Sequence, residues 1–291
     1  MGREAMNVNW FPGHMTKALR NMESDLKLVD CVCEITDARI PRSSRNPALD
    51  EILGRKPRLV LLNRADQADG DMTRRWIEYY RARSIAALET DSRSGRGVDR
   101  FHQAVRTLLQ EKIQALEAKG QGGRPLRVMV VGIPNVGKST FINKAAGRKA
   151  AAASDRPGVT RGKQWVTVSR GLELLDTPGV LWPKFDDPVV GEHLAFTGAV
   201  KDQILDTEEL ASHLLSLLAG LAPQALKERY KLTETEGMQG WELLEDAAKK
   251  RGFLISRGEA DTLRMANVLL DEYRGCILVV LSVVYEFCCR W

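Results

Sequence analysis

The stretch "LRVMVVGIPNVGKST" (residues 126–140) places a short apolar run directly before a glycine-containing loop and the start of a helical pattern. Such a run is typical of a buried parallel strand. The loop matches the pattern G-x-x-x-x-G-K-[ST], in which successive backbone N–H groups surround phosphate oxygens at a helix N-terminus. A glycine-rich turn that matches by chance is the alternative, and the strand–loop–helix context argues against it. The stretch therefore predicts a phosphate-binding loop within an α/β fold.

The side chains of this loop predict a nucleoside triphosphate and Mg²⁺ as its ligands. The ammonium group of Lys138 would neutralise the β and γ phosphates, and the hydroxyl group of Ser139 would bind the metal ion. The residues expected to bind phosphate are Asn135, Val136, Gly137, Lys138, Ser139, Thr140 and, further along the chain, Gly179.

Two downstream segments would complete the phosphate and metal site. In "DTPG" (176–179), Asp176 would hold Mg²⁺ through water and Gly179 would donate its N–H to the γ phosphate, although this short pattern alone is weak evidence. In "ASDRPGVTRGK" (153–163), Thr160 would join the metal ion when a γ phosphate is present. The alternative for Thr160 is an ordinary surface threonine. The expected Mg²⁺ ligands are therefore Ser139, Thr160 and Asp176.

A third segment, "LLNRAD" (61–66), has the spacing of a loop that reads guanine. Asp66 would accept hydrogen bonds from the guanine N1–H and exocyclic amine, a pair of donors that adenine lacks. Asn63, at the end of a predicted strand, would join this loop to the phosphate loop, and the stem of Arg64 would cover the base. In "DSRSG" (91–95), the backbone N–H of Ser92 would lie near guanine O6. Each signal is weak alone, but all lie at strand ends, where α/β sheets bind ligands.

The order of these segments is unusual, because the base-reading loops precede the phosphate loop. In an ordinary guanine-nucleotide-binding domain the phosphate loop comes first. A packed sheet does not record chain order, and chain termini usually lie close together at the surface, where they can be joined. The glycine-rich segment "KGQGGRP" (119–125) is the expected join. The order therefore predicts a circular permutation.

Hydrophobic patterns along the chain predict two domains. Residues 1–185 alternate strand and helix signals, which predicts a mostly parallel sheet with helices on both faces. Residues 186–291 carry apolar residues at spacings of three and four, which predicts a smaller all-α domain. The segments behind this prediction are strands at 29–36, 57–63, 84–90, 126–132 and 172–176, a strand at "QWVTV", helices at about 98–118 and 138–146, and helical patterns at 208–220 and 240–252.

Composition indicates a cytoplasmic protein without a membrane span. The longest apolar run, "CILVVLSVVYEFCC" (276–289), contains a Glu and is shorter than the roughly 20 residues of a spanning helix. The N-terminus lacks the pattern of a secretory signal. Five cysteines lack zinc-site spacing, and their odd number favours a reducing compartment. The net charge of +5 does not demand a polyanionic partner, and we expect a monomer.

With these motifs in this order, the chain resembles the circularly permuted GTPases of the YlqF/RbgA family (ribosome biogenesis GTPase A). The resemblance covers nearly the whole chain. It implies GTP hydrolysis coupled to late assembly of the large ribosomal subunit, with the helical domain helping to bind ribosomal RNA. Beside the segments above, it rests on "NWFPGHMTKA" (9–18), "DARIPRSSRNP" (37–47), "PGVT" (157–160) and "DTPGVLWP" (176–183).

The resemblance also implies two roles that the other motifs leave open. Many GTPases place a Gln after the D-x-x-G pattern to orient the attacking water, but Val180 stands there and cannot hydrogen-bond water. The resemblance implies His14 as the substitute, because a His accepts a proton near neutral pH. A structural or RNA-contacting His14 is the alternative. It further implies that Asn135 binds K⁺ beside the phosphates, against the alternative of a loop-stabilising turn.

Basic and aromatic residues predict an RNA-binding surface. Arg39, Arg42 and Arg45 would contact RNA phosphates from a turn-rich loop, and solvated surface charges are the alternative for any one residue. Trp10 and Phe11 would stack on bases or, as we favour, anchor in the core. In the helical domain, the candidate RNA-facing basic residues are Lys249, Lys250, Arg251, Arg257 and Arg264. The tail at 276–291 departs from the family pattern, which leaves the RNA role of the last helix open.

Two other functions fit the sequence. One is a non-catalytic, GTP-responsive RNA-binding module, which the absence of a Gln at Val180 favours. The other is a nucleotide-dependent chaperone of a different RNA. The expected function is a GTPase that docks on a precursor of the large ribosomal subunit and leaves after hydrolysis.

Overall fold

The computed structural model describes most of the chain. The described residues are 6, 13–150, 164–169, 171–182, 185–200, 205–275 and 277. Trp10 and Phe11 lie outside them, and so does the whole segment 153–163, which contains Thr160. Residues 13–182 form one compact unit, and residues 185–277 together with Met6 form a second. The domain limits 1–185 and 186–291 remain a prediction, because residues near both limits lie outside the described part.

The first unit contains a six-stranded sheet. Its strands lie in the order β3 (Ala86–Glu89), β2 (Arg58–Asn63), β1 (Cys31–Asp37), β4 (Leu126–Val131), β6 (Leu172–Asp176) and β5 (Gln164–Ser169). All neighbouring strands are parallel except β5, which is antiparallel to β6. Strands β1 to β3, which precede the predicted join, lie on one side of β4. Strands β5 and β6 lie on its other side. This arrangement is the one that a circular permutation requires.

The central strands are rich in apolar residues and almost fully buried. Every residue of β1 is buried, and β2 and β4 are buried at all but one position each. A strand covered on both faces needs such a continuous run rather than an alternating pattern. The predicted α/β class and its mostly parallel sheet are therefore confirmed, with strand limits that differ from the predicted ones by a few residues.

Six α-helices lie among the described residues of this unit, and one prediction about them is wrong. The single helix expected over about 98–118 is two helices, α4 (Phe101–Leu108) and α5 (Gln110–Ala118). They are separated at Leu109, whose backbone (φ −106°, ψ 18°) leaves the helical region. Leu109 is buried, so the chain turns there to pack its side chain. The helices are α1 (Gly13–Asp25), α2 (Ala48–Leu53), α3 (Gly70–Ala82), α4 (Phe101–Leu108), α5 (Gln110–Ala118) and α6 (Lys138–Ala146).

The predicted join is fastened to the sheet by Asp30, the residue before β1. The N–H of Asp30 donates to the carbonyl oxygen of Arg127 (2.7 Å), and the N–H of Arg127 donates to the Asp30 carboxylate (2.8 Å). Lys112 of α5 and Arg124 at the end of the join pair with the same buried carboxylate, at 2.5 and 3.5 Å. Asp30 therefore holds the segments on both sides of the join to the starts of β1 and β4.

The second unit is helical in its described part. Within it, Glu272 accepts hydrogen bonds from Arg229, from Tyr230 (2.9 Å) and from Arg251 (3.1 Å), which ties three helices together. None of the helices among the described residues is long and apolar enough to cross a membrane. The helices are α7 (Pro188–Phe196), α8 (Thr207–Leu221), α9 (Pro223–Tyr230), α10 (Gly240–Lys250) and α11 (Thr262–Arg274).

Candidate nucleotide-binding site

The phosphate loop connects β4 to α6, and two of its glycines are required by backbone geometry. Gly132 has φ +149°, and a Cβ there would lie 2.4 Å from the Ile35 carbonyl oxygen. Gly137 has φ +98°, and a Cβ there would lie 2.4 Å from the Asn63 Nδ2 atom. A side chain at either position would separate the loop from its neighbours, because only glycine combines these φ values with such close contacts.

Lys138 begins α6 and lies inside this loop. Its Nζ atom donates to the carbonyl oxygens of Gly132 (3.2 Å) and Ile133 (2.7 Å). The residue is 7% exposed, and burial lowers the pKa of its amine to about 8, with Asp176 acting in the opposite direction. A buried cation held only by neutral carbonyl groups is underneutralised, and an anionic ligand would stabilise its charged form.

Asp176 ends β6, next to β4, and faces the same loop. Its Oδ2 atom lies 3.5 Å from the Ser139 hydroxyl group. Its Oδ1 atom is buried and has no hydrogen-bond partner among the described residues. Burial raises the pKa of this carboxyl group, and Lys138 opposes that rise. A buried oxygen without a partner, next to a hydroxyl group, fits Mg²⁺, which prefers oxygen ligands and keeps several waters.

The segment after Asp176 lies against the phosphate loop. A Cβ at Gly179 would lie 2.7 Å from backbone atoms of Pro134 and 2.8 Å from Lys138 Nζ. The next N–H, that of Val180, donates to the Gly132 carbonyl oxygen (3.3 Å). The Val180 side chain is buried. Gly179 therefore lies beside the Lys138 amine, its expected hydrogen bond to the γ phosphate stays a prediction, and Val180 faces the interior.

Asn63 joins three loops at the carboxyl end of β2. Its Nδ2 atom donates to the carbonyl oxygen of Val136 in the phosphate loop (2.8 Å), which is the connection expected from the sequence. Its Oδ1 atom accepts from the N–H (3.1 Å) and hydroxyl group (2.7 Å) of Ser92. In this structure the Ser92 N–H is thus used within the protein, and its expected placement near guanine O6 stays a prediction. The buried Asn63 oxygen needs donors, and that N–H is one of them.

Arg64 and Asp66 follow Asn63 and differ in their surroundings. Arg64 has a left-handed backbone (φ +60°), and its guanidinium group donates to the Asn135 carbonyl oxygen (2.9 Å) and lies 3.9 Å from Asp37. Its guanidinium group therefore contacts the phosphate loop. That its aliphatic stem covers the base remains a prediction. Asp66 is exposed and makes no hydrogen bond or ion pair with the described residues. Its carboxylate is available to accept from a ligand.

The remaining predicted residues are placed as follows. Val136 is buried and contributes its carbonyl group to Asn63. Thr140 is half-buried in the first turn of α6. Asn135 has a left-handed backbone (φ +57°) at the outer bend of the loop. His14 is the second residue of α1, and its side chain lies outside the described part of the structure.

The loop after β1 differs from the exposed RNA-binding loop expected from the sequence. Arg39 is 2% exposed, and its guanidinium group donates two hydrogen bonds to Asp37, at 2.9 and 2.7 Å. Arg45 pairs with Glu34 and Asp50. The expectation that Arg39 contacts RNA is therefore wrong, and Arg45 is held within the protein. An acidic residue two positions before a basic one, directly after a buried strand, could have indicated this pair.

The Asp37–Arg39 pair yields a stability prediction. Asp37→Asn should lower the free energy of unfolding by about 3 kcal/mol, because the buried Arg39 charge loses its partner. Burial alone would raise the pKa of Asp37, but Arg39 outweighs it and lowers that pKa below its usual value. The pair's contribution is thus present above the unfolded pKa and lost as pH falls through the folded one. Urea unfolding at neutral and acid pH should show a difference between wild type and variant that shrinks in acid; a constant difference would contradict this.

Comparisons with known proteins agree with this geometry. Residues 127–256 match the family model described as "50S ribosome-binding GTPase". The chain is 48% identical over 271 residues to "Ribosome biogenesis GTPase A" of Priestia megaterium, covering 92% of this chain and 93% of that protein. It is 36% identical over 253 residues to "Mitochondrial ribosome-associated GTPase 1" of Mus musculus, covering 84% and 77%. The crystal structure of GNP-bound YlqF from T. maritima superposes with a TM-score of 0.63 at 26% identity, covering 92% and 97%.

Proposed function

Because the chain belongs to the ribosome biogenesis GTPase A family, we propose that it hydrolyses GTP and acts in the late maturation of the large ribosomal subunit. The observation that carries the nucleotide part is Asn63, which bonds the base-reading loop to the phosphate loop through Val136. This bond joins two distant chain segments, which are proposed to form one crevice, with Lys138 and Asp176 at the phosphates and Asp66 at the base. The protein is proposed to bind a subunit precursor and its ribosomal RNA as a cytoplasmic monomer and to leave after hydrolysis.

Each residue of the crevice has a part in binding GTP. Lys138 would exchange its carbonyl contacts for the β and γ phosphates, and the loop N–H groups would point at the same oxygens. Gly179 lies close enough to Lys138 for its N–H to reach the γ phosphate. Asp66 would select guanine, and the Arg64 stem would cover the base. Mg²⁺, when bound by Ser139, Asp176 and Thr160, would neutralise charge on the phosphates.

Hydrolysis needs a group that orients and deprotonates water, and we assign this role to His14. Val180 is buried and has no hydrogen-bonding side chain, so the usual position after the D-x-x-G pattern is not used. Imidazole can accept a proton near neutral pH. His14 lies in the first turn of α1, within the unit that carries the phosphate loop.

The helical unit offers a basic surface for RNA. Lys250 and Arg257 are exposed, and Arg264 lies over the Phe253 ring at 4.2 Å, where it remains exposed. Arg251 is instead paired with Glu272, so it supports the fold more than an RNA contact. Exposed cations of this kind would bind phosphates in a salt-dependent manner. The nucleotide state would then change RNA affinity through the short connection after the DTPG segment.

A potassium ion is proposed to bind beside the phosphates of GTP. Asn135 stands at the outer bend of the phosphate loop, and its side-chain oxygen would be one ligand. The ion would supply, beside the β and γ phosphates, the positive charge that an arginine finger supplies in other GTPases. The proposal that Asn135 binds K⁺ follows from the family resemblance. The comparison of GTP turnover in K⁺ and in Na⁺ tests it.

The deciding experiment is GTP turnover with and without purified large ribosomal subunits, in K⁺ and in Na⁺. We expect slow intrinsic hydrolysis, faster turnover with subunits, and higher rates in K⁺. Small subunits at the same concentration and salt are the control for nonspecific RNA. Tight GTP binding without turnover in every condition would favour the non-catalytic RNA-binding module, for which the buried Val180 is the supporting observation. Equal stimulation by small subunits would favour the RNA chaperone.

A further inference from the structure

Asn46 contacts the segment that follows the DTPG motif, although it lies far away in sequence. It belongs to the loop between β1 and α2 and is 1% exposed. Its Nδ2 atom donates to the Val180 carbonyl oxygen at 3.1 Å, across 134 residues of chain. Its Oδ1 atom accepts from the N–H of Ala48 at 3.0 Å, in the first turn of α2. The two halves of this amide therefore serve two separate partners.

Val180 is held on both sides of its backbone. Its N–H donates to the Gly132 carbonyl oxygen (3.3 Å), and its carbonyl group accepts from Asn46. Its side chain and that of Leu181 are buried. The peptide before Val180 belongs to Gly179, which lies against Pro134 and Lys138. Holding Val180 therefore restricts the backbone of Gly179, which lies beside the Lys138 amine.

The loop that carries Asn46 is itself held by internal hydrogen bonds. The hydroxyl group of Ser44 donates to the Ile40 carbonyl oxygen (2.7 Å) and accepts from the N–H of Asp37 (2.9 Å). Asp37 binds Arg39 and lies 3.9 Å from Arg64, whose guanidinium group donates to the Asn135 carbonyl oxygen. Residues 37–46 thus contact the base-reading loop at one end and the DTPG segment at the other.

We infer that Asn46 is a positioning residue, which holds Gly179 in place for the γ phosphate and so discriminates GTP from GDP. This inference rests on the proposed function, since it assigns the γ phosphate to Gly179 and Lys138. GDP has no γ phosphate, so its binding does not depend on this contact. Losing one buried amide-to-carbonyl hydrogen bond leaves the Val180 carbonyl oxygen unpaired, which corresponds to a change of about tenfold.

Asn46→Asp and Asn46→Ser separate the two functions of the amide. Both variants keep an oxygen that can accept from the Ala48 N–H. Asp has no donor for the Val180 carbonyl oxygen, and Ser carries its hydroxyl group on a shorter side chain, which does not reach the position of the amide nitrogen. We expect kcat for GTP to fall about tenfold, the ratio of affinities for a nonhydrolysable GTP analogue and GDP to fall by a similar factor, and GDP affinity to stay within about twofold. Melting temperatures report whether either variant fails to fold. Asn267→Asp, which removes an exposed amide-to-carbonyl bond on α11, is the matched control.

The outcomes separate this inference from the proposed function. Unchanged kcat and an unchanged affinity ratio in a folded variant would overturn it, and so would an equal loss of affinity for both nucleotides, because a merely structural role predicts the latter. If the wild type hydrolyses no GTP under any condition, the proposed function fails, while the affinity ratio still decides the role of Asn46.

Discussion

Asp66→Asn should lower kcat/KM for GTP by about a thousandfold and make xanthosine triphosphate the better substrate. A carboxylate accepts from both the N1–H and the exocyclic amine of guanine. An amide can accept from only one and presents its own donors to the other. Xanthine carries a carbonyl oxygen in place of that amine, so the Asn side chain complements it. Because Asp66 is exposed and unpartnered among the described residues, the change should leave folding intact.

Competition measurements with GTP, xanthosine triphosphate and ATP would test this specificity directly. Asp71→Asn is the matched control, since Asp71 is an exposed carboxylate nearby in sequence that pairs with Arg74 on the surface of α3. The control should keep the wild-type preference. A variant at Asp66 that still prefers GTP, or a wild type that binds ATP as well as GTP, would remove Asp66 from base recognition.

His14→Ala should lower subunit-stimulated kcat by about a thousandfold while leaving GTP affinity unchanged. A general base acts on the attacking water in the transition state and adds little to ground-state binding. Val180 cannot compensate, because its side chain is buried and its backbone groups are bonded to Gly132 and Asn46. Single-turnover hydrolysis with large subunits present, together with equilibrium GTP binding, separates the two effects.

His102→Ala is the control for loss of an imidazole elsewhere in the unit, since His102 lies on α4. Added imidazole should restore part of the activity of His14→Ala and none of any other variant. His14→Gln should retain more activity than His14→Ala, because an amide can orient water without deprotonating it. Equal turnover of wild type and His14→Ala with subunits would mean that His14 supports structure or RNA contact instead.

The elements that were predicted well are those with strong local signals. The phosphate loop follows from glycines and a lysine within one short stretch, and β1, β2 and β4 follow from continuous apolar runs. The permuted order is predictable because the motifs around Asn63 and Lys138 are recognised from their own residues, wherever they stand in the chain. Local sequence was sufficient for these features because backbone geometry and burial fix them.

The elements that were missed depend on contacts between distant residues. The turn at Leu109 comes from packing rather than from a Gly or Pro. The sequence predicts Arg39 as a surface cation, but it is buried against Asp37, and the Ser92 N–H donates to Asn63, a contact that the sequence does not indicate. Asn46 carries no local signal, because its partner Val180 lies 134 residues away. Pairings of this kind are set by the folded sheet.

The contacts of the Asp30 carboxylate determine what would happen if the loop at 119–125 were cut. Lys112 precedes the loop, while Arg124 and Arg127 lie near or beyond its end, and all three contact the Asp30 carboxylate. A protease that nicks the chain between Gly122 and Gly123 would therefore leave two fragments that stay associated and keep the crevice. New ends opened there would place the base-reading loops on one fragment and the phosphate loop near the start of the other, so this position is suited to split-protein reassembly.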